Sequence, residues 1–390
     1  MGRQIDEILI VNVYIDVPTA FPKAEVRSRQ PGADGTICNN TLMRQTGKSV
    51  NERLAFSGES GTIPGGMNKT SRLFVWLIMT LLVSVGASAA VLQETAVREI
   101  AITIDDLPVN HMTDQGVGGW EKVTSELLMS LEKHSVPAIG FVNLGKLYEK
   151  EGRLDKRRLA LLRRWLDAGF ELGNHTYSHL DLHKTSLPEF TQDILKGEDI
   201  LRGLCKDHDR ELEFFRHPLL HTGLDLETKN GLEQILEDRG YRVAPVTMDN
   251  SEWIYARAFD IANGKGDTGL KKRIAAAYLD YMDRVFAYYE GQSRALFGRE
   301  IKQVLLIHAN TLNSEYFGDL ARLLKTRGYA FIPLDEALED EAYASPDRYT
   351  GSGGITWLHR WALTEGKKGD FFKGEPEVDE FVNALYQGKY

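Results

Sequence analysis

Short β-branched or aromatic runs alternate with longer stretches whose apolar residues recur at intervals of three and four, and this alternation constrains the chain most. It predicts strands at Ile100–Ile104, Ala138–Val142, Phe170–Leu172, Glu213–Phe215, Tyr241–Val246, Val304–Ile307 and Tyr329–Ile332. Amphipathic helices are predicted between them at Trp120–His134, Lys156–Ala168, Leu187–Leu204, Leu226–Arg239 and Ser314–Arg327. Leu127, Leu128 and Leu131 show the helical spacing. Seven strands separated by helices read as an α/β chain of parallel βαβ units, either a barrel or an open sheet. Ala258–Arg299 is too long for a single crossover and predicts an inserted helix or two. Residues 346–390 read as a tail of loops and short helices packing on the domain, with a lead of Gly351-Ser352-Gly353-Gly354.

Composition narrows the functional classes. With 390 residues, 42% hydrophobic and 26% charged, the chain is neither disordered nor a polytopic membrane protein. A net charge of −9 offers no basic field to nucleic acid. Two cysteines, Cys38 and Cys205, exclude a disulfide scaffold and a cysteine-rich zinc site. No stable protein partner is implied.

The N-terminal region has a different character. Lys69 and Arg72 precede the apolar run Leu73–Gly86, and Ala87-Ser88-Ala89 follows it. A positive start, an apolar stretch and a small-residue site define a secretory signal peptide over 67–89, with Met67 as its natural first residue. Residues 1–66 then read as a mis-assigned or disordered extension. The protein is expected to be exported, periplasmic or secreted. The alternative is a membrane anchor formed by residues 73–92, which are numerous enough to span a bilayer.

Polar chemistry gathers where the predicted strands end. Asp105-Asp106 follows the first, Asn174-His175 and His179 the third, and Arg216-His217-Pro218 the fourth. Asp249 and Trp253 follow the fifth, and His308 the sixth. In α/β barrels the C-terminal strand ends carry the active site. His175 and His179, at i and i+4, fall on one face if the segment is a helical turn. With Asp106 they complete three protein ligands with an open position, the pattern of a catalytic zinc site. Asp105 and Asp106 are expected to face opposite ways on an extended segment. One carboxylate is then free to take a proton while the other holds the metal.

Ile104-Asp105-Asp106, His175-x3-His179, Arg216-x-Pro218, Asp249-x3-Trp253 and Leu306-Ile307-His308 resemble, in order, the five motifs of the polysaccharide deacetylases, carbohydrate esterase family 4. The resemblance implies a distorted (β/α)7 barrel over 97–345, with the helical insertion before the last catalytic strand. It implies Asp105 as general base and Asp106, His175 and His179 as ligands of a divalent metal, most simply Zn2+. Arg216 would orient the base, and His308 would be the general acid, paired with Asp249, with Glu252 as the second choice. Trp253 would wall the acetyl pocket. Leu219 stands where the family usually has an aromatic residue, which affects substrate stacking more than any backbone N–H contribution to the oxyanion. His111, His183, His217 and His221 are read chiefly as structural or rim residues. The implied substrate is an acetylated glycan: N-acetyl groups of an amino-sugar polymer such as peptidoglycan or chitin. O-acetyl ester cleavage on xylan, a non-catalytic glycan-binding role and hydrolysis of a small amide are the alternatives.

Overall fold

The computed structural model describes residues 98–110, 116–149 and 152–389. The expected extension, the signal segment, the 73–92 span and His111 lie outside the described residues. Seven parallel strands form one sheet: β1 (Arg98–Leu107), β2 (Ala138–Val142), β3 (Glu171–Asn174), β4 (Phe214–Phe215), β5 (Arg242–Val243), β6 (Gln303–His308) and β7 (Tyr329–Phe331). Their order is β5-β4-β3-β2-β1-β6, with β7 pairing along the first residues of β1. The sheet curls until its ends nearly meet. Beyond β5, Thr247 and Met248 donate to the Val304 carbonyl, each at 3.0 Å, and Leu306 N–H donates back to Met248 at 3.2 Å. One seam therefore closes through a single bridge rather than a ladder, and the architecture is a distorted (β/α)7 barrel.

The period of two along β1 sorts its side chains. Ile100, Ile102 and Ile104 enter the large core beneath the helices. Ala101 faces a separate interior cluster with Ile139, Phe141, Phe214, Ala244 and Val304. Thr103 and Asp105 continue the Ala101 row, so the alternation that fills the barrel also brings a carboxylate to its rim.

The helices are α1 (Val117–His134), α2 (Lys156–Asp167), α3 (Leu187–Leu195), α4 (Glu198–Lys206), α5 (Leu226–Asp238), α6 (Glu252–Gly264), α7 (Thr268–Phe297), α8 (Thr311–Thr326), α9 (Leu334–Ala337), α10 (Trp357–Thr364) and α11 (Glu380–Tyr386). Side-chain caps fix several starts: Asp155, Ser186, Asp225, Asp267, Asn310 and Thr356 each accept from a backbone N–H of their helix. Among the described residues, no helix is long and apolar enough to cross a membrane.

The predicted helix Leu187–Leu204 is two helices, broken between Leu195 and Glu198. Gly197 sits in the break, and a Cβ there would lie 1.9 Å from Leu144 Cδ2. Close packing against Leu144 requires glycine at that point, and glycine interrupts the helix. The expected insertion consists of α6 and α7. Tyr278, Tyr281 and Tyr289 of α7 are buried in the main core, so they are packing residues. Trp357, Leu358 and Trp361 of α10, with Val382 and Leu385 of α11, join the same core. Trp357 N–H also donates to the Val246 carbonyl at 2.7 Å, beside the barrel seam.

Candidate active site

The site begins with the pairing of β1 and β6. Asp105 and His308 are register partners on these adjacent strands, which sets them side by side at the rim. Asp106 follows with φ 70°, a left-handed conformation uncommon for a non-glycine residue, where the β1–β2 register also shifts. This bulge corrects the expectation that the two carboxylates face opposite ways. His175 Nε2 lies 3.8 Å from Asp105 Oδ2 and 4.0 Å from Asp106 Oδ1, so both reach one site.

His175 and His179 meet without a helical turn. The segment after β3 is a loop with Thr176 at φ 65° and His179 at φ 56°. Asn174 Oδ1 accepts the Thr176 N–H at 2.8 Å, and Thr176 Oγ1 accepts the His179 N–H at 2.9 Å. These short polar side chains stabilise the turn that the i, i+4 spacing suggested as helix. The imidazole centroids end 5.0 Å apart. His175 Nδ1–H donates to the Arg216 carbonyl at 2.8 Å, which leaves Nε2 as the lone-pair nitrogen facing the carboxylates. His179 Nε2 is 3.7 Å from Asp106 Oδ1.

These atoms suit a divalent cation. Two ligands about 2.1 Å from a tetrahedral ion sit about 3.4 Å apart, and Asp106, His175 and His179 offer ligand atoms within 4.8 Å of one another. Burial lowers both histidines to about 4, so they are neutral at pH 7 as ligation requires. Burial would raise Asp106, but Lys146 and the histidines hold it well below the ordinary carboxylate range. Lys146 Nζ donates to the Asp106 carbonyl at 2.8 Å and lies 3.3 Å from Oδ1, while Asn110 Nδ2 donates to Oδ2 at 2.7 Å.

Arg216 is fully buried over Phe141, its guanidinium carbon 4.7 Å from the ring centroid. Its Nη2 donates to Thr103 Oγ1 at 2.7 Å, and its Nε stands 4.0 Å from Asp105 Oδ1. Asp105 Oδ1 and Arg216 Nε are both buried without a hydrogen-bond partner. Burial raises the Asp105 carboxyl above its ordinary value, opposed by Arg216. Arg216 thus contacts both halves of the site, through its carbonyl to His175 and its side chain beside Asp105.

His308 Nδ1 pairs with Glu252 Oε2 at 2.9 Å. Burial would lower this imidazole, but the Glu252 hydrogen bond and charge raise it to about 9. Glu252 is itself buried, and its Oε1 accepts from Asn313 at 2.6 Å and from Asn310. Asp249 does not take the position first expected of it. Its Oδ1 accepts the Asn250 N–H at 2.8 Å, and burial pushes its carboxyl up to about 7. The physical difference is placement: Glu252 begins α6, within reach of β6, whereas Asp249 turns back on its own loop. Trp253 is half-buried with its ring edge-on to Tyr386, 5.4 Å between centroids. Leu219 is half-buried at φ 58°, and a Cβ on Gly354 would lie 1.9 Å from its carbonyl oxygen. His217 is buried against Phe215 and 6.5 Å from the Trp357 centroid, a packing role.

Sequence reasoning missed Lys146, Asn110 and the supporting Asn310 and Asn313. Lys146 sits in the short turn Leu144–Leu147 after β2, where no spacing marks it. Asn110 lies four residues beyond Asp106, a separation that becomes a contact only through the bulge.

Residues 93–243 match the family model described as polysaccharide deacetylase. Over this stretch the chain is similar to polysaccharide deacetylases. A peptidoglycan-N-acetylglucosamine deacetylase from Bacillus cereus is 34% identical over 107 residues, 27% of this chain. The chain spans 32% of that relative's length. Among solved structures, the peptidoglycan deacetylase PdaC from Bacillus subtilis aligns with a TM-score of 0.39 and 20% identity, over 63% of this chain and 91% of the other. A family 4 carbohydrate esterase from Streptomyces lividans, in complex with acetate, aligns at 0.38 and 17%, over 60% and 91%. A CE4 family pseudoenzyme from Bacillus anthracis aligns at 0.37 and 16%, over 62% and 66%. The deacetylase match carries Asp105, Asp106, His175, His179 and Arg216; Asp249, Glu252, Trp253 and His308 lie beyond it.

Proposed function

We propose that this chain hydrolyses N-acetyl groups on an amino-sugar glycan of the peptidoglycan or chitin type, using a divalent metal held by Asp106, His175 and His179. The observation that carries the reading is the Asp105–His308 pair, set on adjacent strands beside that donor set. A bound metal, Zn2+ being the simplest choice for two imidazoles and a carboxylate, supplies Lewis acidity and lowers the pKa of water.

The chain's own residues do the rest. Asp105 accepts a proton from the attacking water, and Arg216 holds the Asp105 carboxylate in place. His308, raised to about 9 by Glu252, carries its proton at pH 7. It donates that proton to the leaving nitrogen, which expulsion of an amine requires. An acid and a base thus coexist at one pH because their surroundings push them apart. The backbone N–H of Leu219 would serve the oxyanion, and Trp253 would wall the acetyl pocket. Asp249 shapes the same rim without touching the acid. We further propose that 97–345 is the catalytic domain with 346–390 packed on it, and that 67–89 directs export.

The test is acetate release by the purified protein from N-acetylglucosamine oligomers, peptidoglycan and acetylated xylan, with chelator and then with zinc restored. Chelator-sensitive release from an amino-sugar substrate is expected. Release from xylan alone would reassign the protein as an esterase, and no release from any substrate would overturn the catalytic reading.

A further inference from the structure

We propose that Arg360 is a positioning residue: from the C-terminal tail it holds the turn that presents the Leu219 N–H, so the tail beyond residue 345 completes the active site. The proposal rests on the oxyanion role given to Leu219 above. The turn begins just after Arg216 and its backbone is unusual. Leu219 and Leu220 have φ 58° and 53°, and neither is glycine. Two consecutive left-handed leucines persist only where surrounding contacts over-determine them. The N–H groups of Leu220 and His221 donate within the turn, to the His217 and Pro218 carbonyls, each at 3.1 Å. The Leu219 N–H meets no acceptor among the described residues.

The tail supplies contacts that fix this conformation. Arg360, in α10, is 1% exposed. Its Nη2 donates to the Leu220 carbonyl, and its Nη1 donates to Thr222 Oγ1 at 2.7 Å. Its Nε donates to the Ile355 carbonyl at 3.0 Å, and its guanidinium carbon lies 4.6 Å from the Trp357 ring centroid and 5.1 Å from that of Tyr349. Gly354, from the same tail, backs directly onto the Leu219 carbonyl. Arg360 and Lys229 both pair with Asp347, so one carboxylate serves two buried cations. A buried charge is a poor plug, since an apolar side chain of like volume often fills such a space with no loss of stability. What the planar guanidinium adds is direction: two donors at a fixed angle reach two acceptors of one turn. Beyond the turn, His221 Nδ1 meets Asp181 Oδ1 at 2.6 Å, and the His221 ring stacks on His183 with centroids 3.8 Å apart, so both histidines serve as packing.

The test compares the full chain, loaded with Zn2+, with Arg360→Met, Arg360→Lys and Thr222→Val on N-acetylglucosamine oligomers and peptidoglycan. In Arg360→Met, kcat is expected to fall about 10²-fold, the scale of a group displaced by about 1 Å. KM should stay nearly unchanged, because the oxyanion exists only in the transition state. The Ki of a methylphosphonamidate analogue of the oligomer, a tetrahedral anion in place of the acetyl group, should rise in proportion to the loss in kcat/KM. Arg360→Lys should fall nearly as far, since it keeps the charge and loses the fork. Thr222→Val should move kcat and Ki the same way by less. A merely structural arginine would change the folded fraction and leave Ki untouched. Unchanged Ki in Arg360→Met, with or without a loss of turnover, therefore overturns the proposal, as does a loss of zinc from that variant. Where Arg360→Met does not fold, Thr222→Val keeps the side-chain shape and decides by the same two readouts. No acetate release by the unaltered protein would overturn the proposed function and this role with it, a result distinct from an active parent with an indifferent variant.

Discussion

Replacing Glu252 with glutamine tests the acid directly. The substitution preserves shape and an acceptor for Asn310 or Asn313, but removes the charge that holds the proton on His308. Without that charge, burial lowers the imidazole against only the weaker pull of Asp106 and Asp105, so its pKa falls from about 9 toward the ordinary 6.5. That fall corresponds to about 3.4 kcal/mol, at 1.36 kcal/mol per pH unit. At pH 8 the protonated fraction drops from about 90% to about 3%, roughly thirtyfold. At pH 6 both proteins remain mostly protonated and the difference nearly vanishes. The assay is kcat for acetate release as a function of pH, whose alkaline limb reports the acid in the bound complex. The limb should move from about 9 toward 6.5 in Glu252→Gln, and stay in place in Asp249→Asn. An alkaline limb unmoved by Glu252→Gln would refute the role of the Glu252–His308 pair.

Asp105→Asn should retain metal yet lose about 10²–10⁴ in kcat, the range for a missing general base. His175→Ala should lose both activity and an equivalent of metal by elemental analysis. Gly354→Ala places a Cβ 1.9 Å from the Leu219 carbonyl; the strain should cost about 1–3 kcal/mol, read as a lower Tm. Trp361→Ala opens a cavity in the core that tail and barrel share, costing about 3–5 kcal/mol in denaturant unfolding.

The barrel was legible because each strand is a short apolar run bounded by turn residues. The positions of β2, β6 and β7 follow from composition alone. The trio Asp106, His175 and His179 was legible as residue types, yet its geometry was not. The i, i+4 spacing of His175 and His179 suggests a helix only if Thr176 is helical, and the turn built by Asn174 and Thr176 depends on where β3 ends. The facing of Asp106 depends on a bulge that alternation does not encode. Asp249 was expected before Glu252 as the partner of His308, because only three residues separate them and only the start of α6 decides which reaches β6. Lys146 was invisible for a related reason: a lysine in a short turn acquires meaning only from the carboxylate that the fold brings to it.

The register partnership of Asp105 and His308 ties the proposed base and acid to a backbone ladder. Their separation is fixed by hydrogen bonds between two directly paired strands and not by loop closure. Local fraying of the tail or of the loop after β3 would leave that separation intact. The β6 amides that donate to β1 should therefore exchange with solvent only when the β1–β6 ladder opens. The fraction of molecules with the proposed acid and base correctly spaced then equals the fraction with this ladder intact, and denaturant should abolish turnover and the β6 protection at the same midpoint.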